Sequence, residues 1–157
     1  MSYTTNAWKG ANYNSSLSTK DITKIIRAYV KKTYPNCKFS VSKFHNSIKI
    51  ALMSAPFDVF AKPDASVMRA DDFRYGADDF MNNWNRVIAK GYHGVNHYYI
   101  KDSRYLTDRA KDLFTNVVKF VNSYNYDDSD AMIDYFDTNF YLDVSIGKWD
   151  KPFIKTN

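Results

Sequence analysis

The stretch from Lys38 to Leu52 narrows the fold more than any other. Phe39 and Val41 alternate with Lys38, Ser40 and Ser42, and beyond His45-Asn46 the residues Ile48, Ile50 and Leu52 alternate with Lys49 and Ala51. Period two sends successive side chains to opposite faces of a strand, so these are two strands with one apolar face each. The short polar link between them predicts an antiparallel hairpin, whose apolar face must be covered by another element. That element precedes it. Ile22, Ile25, Ile26, Tyr29 and Val30 recur at helical spacing, Ser18 stands three residues ahead of Asp21 as a capping pair, and Pro35 ends the run.

The remaining pattern adds two helices and further strands. Residues 54 to 76 hold Pro56, Pro63 and Gly76 without periodicity and read as a long loop. Phe80, Met81, Trp84, Val87 and Ile88 mark a helix from Asp78 to Lys90 that stops at Gly91, and GYHGVNHYYI follows as a short strand. Thr107 caps a third helix with Ala110, Leu113, Phe114, Val117, Val121 and Tyr124 on one stripe. Phe140, Leu142, Val144 and Ile146 then alternate with polar residues in a last strand, beyond which Gly147 permits a bend and Pro152 opposes further pairing. The expectation is an α+β fold, a small antiparallel sheet of three to four strands packed by about three helices. Residues 1–16, polar and aperiodic with Trp8 as anchor, read as a flexible or loosely docked arm, and 17–157 as a single globular domain, since 157 residues support one core.

The chemistry-bearing residues do not form a catalytic set. Cys37 is the only cysteine, which excludes an intramolecular disulfide and fits a reducing compartment. The first sixteen residues lack a signal-peptide pattern and no run of 18 apolar residues occurs, so a cytoplasmic location without a membrane is expected. His93 and His97 are four apart, but Gly91 and Gly94 oppose the helix that would bring them to one zinc ion. Asp127, Asp128, Asp130, Asp134 and Asp137 offer oxygen ligands without the glycine and glutamate of an EF-hand loop, so a solvated acidic turn is the expectation rather than a metal site. Neither a nucleophile elbow nor a glycine-rich phosphate loop is present. The expectation is therefore a non-enzymatic protein with no metal and no cofactor.

Charge supplies two opposed binding surfaces. Residues 1 to 60 carry nine Lys or Arg against Asp21 and Asp58, whereas residues 101 to 150 carry six against ten Asp, and the chain contains neither Glu nor Gln. Lys20, Lys24, Arg27 and Lys31 on the first helix, with Lys38 and Lys49 on the hairpin, form a candidate nucleic-acid surface, where Tyr29, Tyr34 or Phe44 would stack on unpaired bases. Solvated lysines on an amphipathic helix are the plainer reading. At the other end, Asp127, Asp128, Asp130, Asp134 and Asp137 are interleaved with Tyr124, Tyr126 and Tyr135, a combination suited to a protein interface in which aromatics anchor and charges steer.

The segments KDITKIIRAYVKKTYPNCKFSV, NHYYI and SYNYDDSDAMIDYFDTNFYLDVSIGKWDKPF resemble the large polyvalent protein-associated domain numbered twenty-nine, over roughly residues 17 to 153. This resemblance implies a protein of phages, plasmids or conjugative elements that accompanies incoming DNA or counters host defence. No catalytic residues are established for the family. The implied function is a non-enzymatic inhibitor of a bacterial defence effector such as a CRISPR nuclease, akin in style to anti-CRISPR proteins, acting in the bacterial cytoplasm. The alternative is a nucleic-acid-binding accessory module.

Overall fold

A computed structural model describes residues 7–62, 76–133 and 135–157, without the side chains of 76–80 and 131. Its elements are β1 (Trp8–Lys9), α1 (Thr19–Thr33), β2 (Lys38–Phe44), β3 (Ser47–Ala55), α2 (Gly76–Lys90), β4 (His93–Val95), α3 (Asp108–Asn122), β5 (Tyr126–Asp127), β6 (Tyr141–Ile146) and β7 (Ile154–Lys155). Single 3-10 turns lie at Ile100–Asp102 and Ala131–Ile133.

Local signals act where the sequence puts them. The Ser18 hydroxyl accepts from the Asp21 N–H at 3.1 Å and the Asp21 carboxylate accepts from the Ser18 N–H at 3.0 Å, a reciprocal cap that starts α1. These hydrogen bonds hold the Asp21 carboxyl below its ordinary value. Ile22, Ile26 and Val30 form the buried stripe of α1. Thr107 starts α3 by accepting from the Ala110 N–H, and its hydroxyl donates to the Asp58 carbonyl at 2.8 Å, which ties the helix to the chain leaving β3. Residues 57–61, expected as open loop, lie along 105–107 with Val59 buried; residues 63–75 of that loop fall outside the described residues.

The β2–β3 hairpin is antiparallel as expected, turning at His45, whose φ is 52°. The rest of the sheet departs from expectation. It has five strands rather than three or four, in the order β2-β3-β6-β4 with β7 also on β3, and it is mixed: β6 and β7 run parallel to β3 while β4 is antiparallel to β6. Alternation reads the same in either direction along a strand, so it gives no hint of orientation. A parallel neighbour requires a long crossover, which the chain through α2, β4 and α3 supplies. Pro152 interrupts pairing only briefly, since it resumes at Ile154. The α+β class stands.

The core lies between one face of the sheet and helices α1 and α3. Val41, Ile48, Ile50, Leu52, Val144 and Ile146 meet Ile22, Ile26 and Val30 of α1, and Phe114, Val117 and Val121 of α3. Tyr29 of α1 stacks on Phe120 of α3 with ring centroids 3.8 Å apart and planes within 6°. Trp84 anchors α2, fully buried edge-on to Tyr105. Residues 7–16, read from sequence as part of an arm, lie against the domain: β1 pairs with β5, Gly10 donates to the Asn125 carbonyl at 2.8 Å and Asn12 to that of Ser123 at 2.7 Å. Residues 1–6 fall outside the described residues. Among the described residues, no helix is long and apolar enough to cross a membrane.

Candidate functional site

The acidic stretch folds into a small hairpin that stands on the end of α3. Asn125, itself buried, ties its base together: the side-chain oxygen accepts from the N–H of Tyr126 at 2.9 Å and of Phe140 at 3.2 Å, and the side-chain nitrogen donates to the Phe140 carbonyl at 3.1 Å. Above this, the Asp128 N–H donates to Asp137 O, and Asp130 and Tyr135 exchange both backbone bonds. From the other side β1 adds a strand, pairing Trp8 with Asp127 and Lys9 with Tyr126.

Most of the carboxylates hold this frame. Asp127 accepts from the Ser129 N–H and Asp130 from the Met132 N–H, each at 3.0 Å, the local turn bonding that aspartate favours. Asp137 accepts from the Tyr126 hydroxyl at 2.7 Å and from the Tyr135 hydroxyl at 3.3 Å. That bond to Asp137, with some burial, pushes the Tyr126 hydroxyl up to about 12. Asp128 lines a cleft of about 410 Å3 with Trp8, Lys9, Tyr13, Tyr126 and Asp137. Tyr124 stands apart from the group, its ring against Phe120 on the core side. Asp134 lies outside the described residues.

The apolar exposure of the hairpin is concentrated at its tip. Met132 is 92% exposed, and Ile133 and Phe136 are 64% and 62% exposed, three large apolar side chains among carboxylates. Sequence reasoning singled out the tyrosines instead and passed over these three. A signal was present, because an apolar residue within an Asp-rich turn has no core stripe to join. Burying each such side chain is worth roughly 1.5–3 kcal/mol, whereas the half-buried, hydrogen-bonded tyrosines have less left to gain.

The basic residues do not form one track. Arg27, Lys31 and Lys38 line a cleft of about 380 Å3 between α1 and the edge strand β2, with Lys20 and Lys24 further up the exposed side of the helix. Arg27 donates from Nε at 3.0 Å and Nη2 at 2.8 Å to the Val41 carbonyl, fastening the helix to that edge. Lys49 is on the opposite face of the sheet, beside Asp143. Tyr29 and Tyr34 are packed against Phe120 and Phe39, while Phe44 is exposed.

His93 and His97 line different clefts, and burial lowers the pKa of both. Among the described residues, no three His, Cys or Asp side chains gather so as to hold a metal ion. Cys37 is half-buried, and burial raises its thiol pKa, the reverse of an activated nucleophile.

The family described as large polyvalent protein associated domain 29 has a model that matches residues 17–111, from α1 through the first turn of α3. The matched span includes the central region and stops short of the acidic hairpin. No curated protein and no solved structure matches the chain.

Proposed function

Because this chain belongs to the large polyvalent protein associated domain 29 family, and so to the proteins associated with phages and other mobile elements, we propose that it is a non-enzymatic accessory protein that binds and inhibits a bacterial defence effector such as a CRISPR nuclease. One observation carries this reading: the hydrogen-bonded hairpin formed by residues 126–133 and 135–138 presents Met132, Ile133 and Phe136 to solvent amid aspartates. Apolar anchors of this kind supply most of the affinity of protein interfaces, and surrounding charge of one sign steers a partner of the other. Nucleic-acid-binding grooves of nucleases are basic, so an acidic, apolar-tipped projection is complementary to them.

The test expresses the protein in bacteria carrying an active CRISPR system and counts plaques of a targeted phage. Plaques rise if the reading holds, and Met132→Asp combined with Phe136→Asp removes the rise while the melting curve of the purified variant stays unchanged. With purified nuclease, inhibition saturates at a fixed molar ratio, as expected of a binder rather than a catalyst. Phage restriction unaltered by the wild-type protein across strains with different defence nucleases overturns the proposal.

A further inference from the structure

The face of the sheet turned away from α1 and α3 carries a second aromatic surface. The strand register places Phe44, Ser47 and Tyr141 side by side, then Ser42, Lys49 and Asp143, then Ser40, Ala51, Ser145 and Gly94. The last two rows, Gly94 apart, floor a cleft of about 270 Å3 whose walls include Tyr92 and Trp149. Trp149 is 85% exposed, Phe44 and Tyr141 are half exposed or more, and a Cβ added at Gly94 would meet nothing. Ser40, Ser42, Ala51 and Ser145 are thus the small residues of the floor, Lys49 and Asp143 form a charged pair across it, and large rings stand around it.

We propose that this face binds single-stranded nucleic acid, with bases stacked on Trp149, Tyr141 and Phe44. Exposed aromatic rings beside a sheet face can stack on bases whose own faces are free, a condition met by unpaired strands and not by duplex. Duplex grooves admit a helix or a narrow ribbon, and a broad sheet face is neither. Lys49 and Lys148 line the cleft together with Asp143 and Asp150, and Lys151, bridged to Lys148, adds a further cation beside it. Lys148 and Lys151 at the rim suit a phosphate backbone passing there while bases lie over the small residues. The surface is separate from the acidic hairpin and from the Arg27–Lys31–Lys38 cleft, so this proposal does not depend on the inhibitor reading.

Fluorescence anisotropy with a labelled oligodeoxythymidine of about 16 nucleotides, long enough to cross one such platform, tests it. The single strand binds and weakens as salt rises, and a duplex of the same length binds at least tenfold more weakly. Trp149→Ala and Tyr141→Ala each reduce affinity about tenfold, the scale of one lost stacked base. Tyr141→Phe keeps it, as do Lys31→Ala and the Met132→Asp, Phe136→Asp variant. Absence of binding at low salt, equal binding of duplex, or a loss that follows Lys31 rather than Trp149 overturns the proposal.

Discussion

At the scale of single residues, the Tyr126–Asp137 bond shows how a side chain read as an interface anchor is committed to the frame. Tyr126 donates at 2.7 Å to a carboxylate that also accepts from Tyr135, so ionising the phenol would set two negative oxygens against each other. Its folded pKa, about 12 against the ordinary 10.0, is raised. The sign follows directly: the contribution to stability is fully present below pH 10 and is lost as pH rises through about 12. Asp137→Asn removes the carboxylate charge, and the Tyr126 titration should fall back toward the ordinary tyrosine range. Tyrosinate absorbance followed against pH, with Tyr126→Phe to identify the transition, measures this. A Tyr126 transition unmoved by Asp137→Asn contradicts it.

At the scale of elements, what could be read from sequence was what neighbours in sequence decide. The Ser18–Asp21 cap, the Thr107 cap and the hairpin at His45-Asn46 each depend on residues a few positions apart, and all are present. The parallel pairing of β6 with β3 joins Leu142 to Ile48, and nothing local in either strand specifies the other. The proposed binding surfaces were half legible for the same reason. The acidic stretch was visible as composition, but whether Tyr126 or Phe136 faces water depends on how the hairpin seats on Asn125 and β1. The open aromatic face exists only once β2, β3 and β6 are side by side.

The turn after β6 is where that non-local pairing is most exposed to test. Gly147 has φ +64°, and a Cβ there would collide with the Gly91 carbonyl, the group that accepts from the Phe153 N–H at 2.8 Å and so leads the chain into β7. Gly147→Ala combines a left-handed backbone conformation, costing roughly 1–2 kcal/mol in an L-residue, with a backbone collision. A loss of at least about 2 kcal/mol in urea unfolding is expected. Gly94→Ala, on the open face with empty space above it, should cost well under half of that. Equal losses at the two glycines would show that the β6–β7 turn is not tightly packed.

At the scale of the whole molecule, the two ends of the described chain both serve as clamps. Residues 154–155 extend the sheet along β3, and residues 8–12 hold the acidic hairpin from the side opposite Asn139, whose side chain donates to the Tyr124 carbonyl. The second clamp is the one on which partner binding depends in the proposed inhibitor. A two-stranded hairpin alone is marginal in water, so β1 and the Tyr13 ring, edge-on to Tyr126 at 5.1 Å, provide its third layer of support. Gly10 makes this docking possible, because its backbone passes so close to the Asn122 and Ser123 carbonyls that a Cβ would overlap them. Gly10→Val in the full chain should therefore release β1 while the remote core of α1, β2 and β3 stays folded. Hydrogen exchange would then accelerate at the amides of Asp128, Asp130 and Tyr135, with those of Val41 and Ile50 as protected as before. Inhibitory strength should fall with the loss of protection, since a hairpin that must be ordered on binding spends part of its contact energy on that ordering. Unchanged exchange in the hairpin of a variant proven to have released β1 would mean that Asn125 alone holds the tip in place.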